Sequence, residues 1–448
     1  QYLGKNVSSS QVQFYIDQGA QNAVSQSMAA CVQTTNALTG DAKKAALKAC
    51  RTISIKETLR KSLGENVSMI DVQRFVEEGA RKKIQDAMKA ALSASGGSSP
   101  ENELAARNAA KAALKESLGV DKVSDVDFQK YVDEGAKDAV ATTMRACVES
   151  TMLLPETNRL QALQNCRSES VKTTLVNSLG KKDISDVEVE QYIAQGAKKA
   201  VGQAMSSCVK STKSLTGDAQ RAALKACRTI SAREALQNSL GEDVSTAEVQ
   251  RYLEDGAREK TRMAMKAAMD ASGSNSTGNL LAAREAAKAA LKESLGVDKV
   301  SDVEFQRYLT EGAEDAVAST MKACTESTNR LPSNDRSEAM KMCRLDSVKQ
   351  SLTESLGKAQ VSDEEVESFI TEGAKKSMGQ AMASCVKSTK SLTGEEKKQA
   401  LKGCRTSSAK SALEDSLGED VTNTDVQMFV EDGAREKTRM VMKAAMNA

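Results

Sequence analysis

The chain has 448 residues, 63 basic and 61 acidic side chains of interleaved sign, and neither His nor Trp. Its length exceeds what one hydrophobic core serves, so several units are expected. Without His the commonest general base and metal ligand are missing, the charge balance lacks the basic stripe of a nucleic-acid binder, and no apolar run approaches the roughly 20 residues that span a bilayer. The sequence opens on Gln1 without a charged-then-apolar leader. A processed product or a piece of a longer protein is therefore expected.

Internal repeats organise everything that follows. S-L-G, or Y-L-G at the start, places glycines at 4, 64, 119, 180, 241, 296, 357 and 418. Fifteen or sixteen residues later a G-A pair follows, with glycines at 19, 79, 135, 196, 256, 312, 373 and 433. A longer period lies above this one. GVDKVSDVDFQKYVDEGAKDAV (119–140) returns as GVDKVSDVEFQRYLTEGAEDAV (296–317), and DGAREKTRMAMKAAM (255–269) returns as DGAREKTRMVMKAAM (432–446). Both returns come after 177 positions, from Gly119 to Gly296 and from Asp255 to Asp432. The units run A1 (1–61), B1 (62–116), C1 (117–177), A2 (178–238), B2 (239–293), C2 (294–354), A3 (355–415) and the incomplete B3 (416–448).

Each unit reads as two helices. A capping box opens the first, at Ser8/Gln11, Ser68/Asp71, Ser124/Asp127, Ser185/Glu188, Ser245/Glu248, Ser301/Glu304, Ser362/Glu365 and Thr422/Asp425. In C1 the apolar or small residues Phe128, Tyr131, Val132, Gly135, Ala136, Ala139, Val140, Met144, Cys147 and Val148 then fall on one helical face. A turn follows, such as LTGD (38–41), GGSSPEN (96–102), LLPETN (153–158) or LPSND (331–335), and the only three prolines lie in these turns. The second helix runs to the next S-L-G, whose glycine suits a helix C′ position. Nothing alternates with period two. The fold class is all-α, a tandem array of helical hairpins arranged as a solenoid or rod.

The ten cysteines form five pairs, each 19 positions apart: Cys31/Cys50, Cys147/Cys166, Cys208/Cys227, Cys324/Cys343 and Cys385/Cys404. Their midpoints fall in the hairpin turns, so folding brings each pair face to face across the seam, as a disulfide needs. B units lack both cysteines together, with MKAA at Met88–Ala91 and Met265–Ala268. Joint loss is what a bonded pair predicts. Zinc is disfavoured because each hairpin offers two ligands rather than four. Five disulfides imply an oxidising compartment, extracellular or at the cell surface after passage through the secretory pathway. The sequons at Asn6, Asn66 and Asn275 are compatible with that placement.

Other motifs read as structural. The G-A glycine should cost about 1 kcal/mol inside a helix, so close approach of a neighbouring helix is expected there. The acids of VDKVSDVD (120–127) and VDKVSDVE (297–304) lack the EF-hand loop and read as helix caps rather than a calcium site. The methionines of TRMAMKAAM (261–269) and TRMVMKAAM (438–446) read as core rather than as a soft partner groove. No catalytic, cofactor or metal signature is present, so no enzyme is expected.

The array ends after a first helix, which leads to the expectation that the chain continues or that another copy covers the exposed face. Head-to-tail contacts of that kind make filaments. The expected function is an extracellular structural protein that forms or assembles into a filament, fibre or surface layer, with copies of itself as partners. A secreted solenoid that binds a protein or glycan partner is the alternative.

Overall fold

A computed structural model describes the chain from Ser9 to Glu431, apart from residues 36, 64–66, 68, 95–98, 119, 121, 153, 182–183, 213–214, 242–243, 273–276, 298, 330, 359, 390–391 and 418–420. Asn6, Asn66, Asn275 and the segment 438–446 lie outside the described residues. The described residues are all-α, with helices packed in pairs.

Units A1 and B1 contribute α1 (Ser9–Thr35), α2 (Gly40–Leu63), α3 (Met69–Ala94) and α4 (Pro100–Leu118). In C1, α5 (Asp125–Met152) precedes α6 (Glu156–Cys166) and α7 (Lys172–Leu179). A2 and B2 supply α8 (Asp186–Thr212), α9 (Gly217–Leu240), α10 (Thr246–Ser272) and α11 (Thr277–Leu295). C2 holds α12 (Asp302–Thr328), α13 (Ser333–Cys343) and α14 (Lys349–Leu356), and A3 holds α15 (Asp363–Ser388) and α16 (Gly394–Leu417). A further helical run covers 423–431. In both C units a π-helical turn, Arg167–Val171 or Arg344–Val348, interrupts the second helix directly after its cysteine. The sequence reading has one continuous helix there.

Capping explains where the first helices start. The amides of Asp127 and Glu304 donate to Ser124 and Ser301 at 3.0 and 3.1 Å. At Ser185, Ser245, Ser362 and Thr422 the box is reciprocal, since the acid three residues on also accepts the Ser or Thr amide. Asp125 and Asp302 instead pair with Lys111 and Lys288, at 2.6 and 2.5 Å. Asp121 and Asp298 lie outside the described residues, and the other acids of these two acid-rich turns are engaged in capping and ion pairs.

Each first helix packs on its own second helix and on the first helix of the next unit: α1 on α3, α3 on α5, α5 on α8, α8 on α10, α10 on α12 and α12 on α15. Small residues allow this approach. A Cβ added at Gly196 would stand 3.3 Å from both the Ala141 amide nitrogen and the Lys137 carbonyl, and one at Gly373 would meet Ala318 and Glu314 equally closely. Packing also reaches beyond neighbours, because α5 touches α12, α8 touches α15 and α3 touches α10.

The second helices end on left-handed glycines. Gly180, Gly241, Gly296 and Gly357 have φ between 59° and 66°, a region that L side chains avoid. These turns press on the preceding unit, where Met265 Sδ would lie 2.9 Å from a Cβ at Gly357. Met88 meets Gly180 in the same way, and both methionines are fully buried. An arginine of the preceding second helix then reaches the buried helix end. Arg284 Nη1 donates to the Leu356 carbonyl at 3.0 Å, and Arg167 does the same to Leu240. A cation at a helix C-terminus satisfies a free carbonyl and meets the negative end of the dipole. Unit is thereby clamped to unit. Removing the clamp by Arg284→Ala should cost about 1–3 kcal/mol, and Gly357→Ala about 1–2 kcal/mol from its left-handed backbone. Both losses should appear in hydrogen exchange as faster opening of α14 with little change in α1.

Candidate functional site

Disulfides join the five cysteine pairs: Cys31–Cys50, Cys147–Cys166, Cys208–Cys227, Cys324–Cys343 and Cys385–Cys404. Their Cα atoms lie 5.7 to 5.9 Å apart. No cysteine is free among the described residues.

The sequence reading treats the two halves of a pair as equivalent, and here the structure differs. The first-helix cysteine is buried in every case, at 2 % exposure or less. On the second helix, Cys50, Cys166, Cys227 and Cys404 are only half-buried, and Cys343 alone is buried. Apolar neighbours such as Val32 and Leu47 enclose Cys31, and Val209 and Leu224 enclose Cys208, while Cys50 and Cys227 sit at the margins of these clusters. Hydroxyls stand beside the outer sulfurs, and Ser231 Oγ also lies 3.4 Å from the inner Cys208 Sγ. Cys50 Sγ lies 3.7 Å from Ser54 Oγ, Cys227 Sγ lies 3.6 Å from Ser231 Oγ, and Cys404 Sγ lies 3.7 Å from Ser408 Oγ. The cause is packing. A first helix is covered by neighbouring first helices, whereas the outer face of a second helix is left open.

A second feature recurs with every staple. The hydroxyls of Thr35, Thr151, Thr212, Thr328 and Thr389 donate to the carbonyl of the cysteine four residues earlier, at 2.7 to 2.9 Å. The preceding hydroxyls, Thr34, Ser150, Ser211, Ser327 and Ser388, donate to the same oxygen at 2.9 to 3.2 Å. The cysteine carbonyl already serves the backbone, as the Thr389 amide shows by donating to Cys385 at 3.2 Å, so these hydroxyls are additional donors that reinforce the helix end beside the disulfide. The turn then closes through the Leu38, Leu154, Leu215, Leu331 and Leu392 amides, which donate to the threonine carbonyls. The signal C-x-x-S/T-T stands in the sequence at all five places, and sequence reasoning passed over it. It also passed over the arginine after each second cysteine: Arg51, Arg167, Arg228, Arg344 and Arg405.

Charged faces of the first helices, with Ala and Ser of the second helices α11 and α16, line a cavity system of about 2410 Å³. Both signs line it. Arg81 Nε lies 2.8 Å from Asp138, which also meets Lys199. Lys376 and Lys198 approach Asp315 at 2.8 and 3.5 Å, and Arg258 reaches Glu311 at 2.5 Å. Burial alone would raise Asp315, but Lys198 and Lys376 outweigh it and pull the carboxyl down to about 2.

One cluster joins residues far apart in sequence. The buried Tyr192 hydroxyl donates to Asp133 at 3.0 Å and accepts from Lys322 at 3.4 Å. Lys181 approaches Glu326 at 3.0 Å, Gln129 donates to the other oxygen of Glu326, and Arg107 donates to Gln129 at 2.6 Å. Burial, then Asp133, push the Glu326 carboxyl above its usual range against the pull of Lys322 and Lys181. Burial likewise raises Asp415. Chemically, the arrangement holds helices in register through hydrogen-bonded charges. Among the described residues no group of three or more Cys, Asp or Glu is placed to hold a metal ion. Set against known protein families, curated proteins and solved structures, the chain matches none of them.

Replacing Cys147 and Cys166 together by Ala should cost about 3 kcal/mol locally, measured as lost hydrogen-exchange protection at the end of α5 and in α6, with α10 and α11 unaffected. The raised carboxyls set a pH dependence. Glu326 and Asp415 bind protons more tightly folded than unfolded, so stability rises as pH falls from neutrality toward their unfolded values of 4.5 and 3.8. Below that range, groups lowered in the fold, Asp315 and Glu188, lose their stabilising contribution. Thermal melts should therefore peak in mild acid, and Glu326→Gln should flatten the rise between neutrality and that peak.

Proposed function

We propose that this chain is an extracellular structural protein whose stapled hairpins form, or assemble into, a fibre or surface layer. The observation that carries this reading is the confinement of all five disulfides to single hairpins. Each one ties a unit to itself and leaves the contacts between units non-covalent. That arrangement suits a long array in an oxidising, mechanically exposed setting, where every unit must survive alone. The recurrence of A, B and C types with little drift from one three-unit block to the next supports an assembly role, because a binding face would diversify between units. The near balance of 63 basic and 61 acidic side chains removes long-range repulsion between copies packed side by side. Among the described residues no helix is long and apolar enough to cross a membrane. We assign the chain no catalytic activity, a reading supported by the lack of His and by the Lys and Arg partners of the carboxylates Asp138, Glu311 and Asp315.

The test is an intact mass of the natural product after alkylation, with and without prior reduction, followed by electron microscopy of the oxidised protein. The expected result is no alkylation until reductant is added, peptides that pair cysteines 19 positions apart, and elongated or sheet-like assemblies. Ten thiols reactive without reduction would overturn the extracellular reading. Oxidised protein that stays monomeric at high concentration would overturn the assembly.

A further inference from the structure

We infer that the chain is a coil of three units per turn, latched between turns by a polar seam that opens and recloses while the hairpins stay folded. The contact pattern carries the first half. First helices pack with the unit one ahead and with the unit three ahead, as α5 does with α8 and with α12. Among the described residues no packing of comparable extent joins first helices two units apart. Helix packing at one and three units, with only long side chains such as Lys198 to Asp315 and Lys322 to Tyr192 bridging two, is that of a coil that comes back over itself every third unit.

This geometry gives a physical reason for the three-unit period of the sequence. In such a coil a unit meets its own type on the next turn: α3 and α10 are both of type B, α5 and α12 of type C, α8 and α15 of type A. Each type therefore needs a face that suits a copy of itself. Three types suffice, and the duplicated block is one turn.

The second half follows from what kind of contact holds each level. Within a hairpin of type A or C the tie is a disulfide. Neighbouring units share apolar core: one cluster runs from Ala80 in B1 to Leu309 in C2, and arginine clamps reinforce it. Ties between turns are mostly polar. Gln129 to Glu326 joins C1 to C2, three units on, while Lys181 to Glu326 and Lys322 to Tyr192 run diagonally from A2 to C2, two units on, and the three span 197, 145 and 130 residues. Val126 adds an apolar contact, since it joins the cluster built around Ala313 and Val317. α8 and α15 pack directly as well, and beside that contact Gln191 and Gln203 of α8 and Gln380 and Ser384 of α15 line the cavity.

Opening a polar seam exchanges buried ion pairs for hydration at little net cost, because the charges regain the water they gave up. Separating neighbours instead exposes apolar area at about 25 cal/mol per Å². The seam therefore yields first under salt or load, and the chain lengthens without unfolding. This inference holds for a single chain and does not depend on fibre formation.

Small-angle X-ray scattering of the oxidised full chain tests it, with circular dichroism on the same samples. Glu326→Lys faces Lys181 and Lys322 with a third cation. The maximum dimension should rise by roughly a third, as side-by-side helices about 9 Å apart unroll from a coil into a row, with helicity unchanged. Adding Lys181→Glu to that variant should restore the compact form. The unaltered chain should also lengthen between roughly 10 mM and 1 M salt, over which ionic screening becomes strong. A maximum dimension that stays constant in the Glu326→Lys variant and across the salt range would overturn the inference. So would lengthening that appears only together with loss of helix.

Discussion

A first helix in this chain is packed from several directions at once: by its own second helix, by the first helices before and after it, and by a first helix three units away. A helix has only one circumference to divide among these contacts, and the composition follows from that division. The side that meets a neighbouring first helix carries Gly or Ala, because a larger residue at Gly196 or Gly373 would strike the neighbour's backbone. Larger side chains, such as Val140, Met144 and Val148 in α5, are buried in the core around this contact. What remains bears charge and faces the interior cavity. Low aromatic content follows, since bulky rings would hold the helices apart. Six Phe and six Tyr serve the whole chain.

The staples fit the same constraint. A helix crowded by small residues gains little apolar area per contact, so the hairpin ends gain most from a covalent tie. B units show the other solution. Where the cysteines would stand they carry Ala91 and Ala268, and their second helices bury Ala106 and Ala110, or Ala283 and Ala287, completely. Alanine lets the two helices approach closely along their length. Their shorter second helix leaves less unstapled hairpin to fray.

How much of this the sequence discloses depends on the range of the interaction. The all-α class, the helix starts and the cysteine pairing are local, fixed by caps, turns and a short, constant separation between the thiols, and these were legible. The uneven burial within a pair was not, because Cys50 and Cys227 differ from Cys31 and Cys208 only in which helices lie over them. The hydroxyl pair beside each first cysteine was as local as the pairing and was overlooked, because Ser and Thr are common throughout the chain. The π turn after Cys166 and Cys343 left no such trace. Cys166 to Gly180 in a C unit spans the same stretch as Cys227 to Gly241 in an A unit, so no insertion marks it. Contacts between units two and three apart were beyond reach for another reason. A charge such as Glu326 looks like any solvated helix residue until Gln129 and Lys181, 197 and 145 positions away, are seen beside it.

The polarity of the inferred seam has a rationale beyond ease of opening. Whatever the number of turns, a coil presents two end faces that no further turn covers. If turns adhered through apolar contacts, those faces would be exposed hydrophobic patches that attract any similar surface. A face of paired charges and amides remains soluble when uncovered. It also discriminates, because a misaligned partner leaves buried charges unpaired, and an unpaired buried charge costs far more than a correct pair contributes. Strength is therefore placed along the path of neighbouring units, where the covalent sequence already dictates the partner. Selectivity is placed between turns, where the chain must find its own kind.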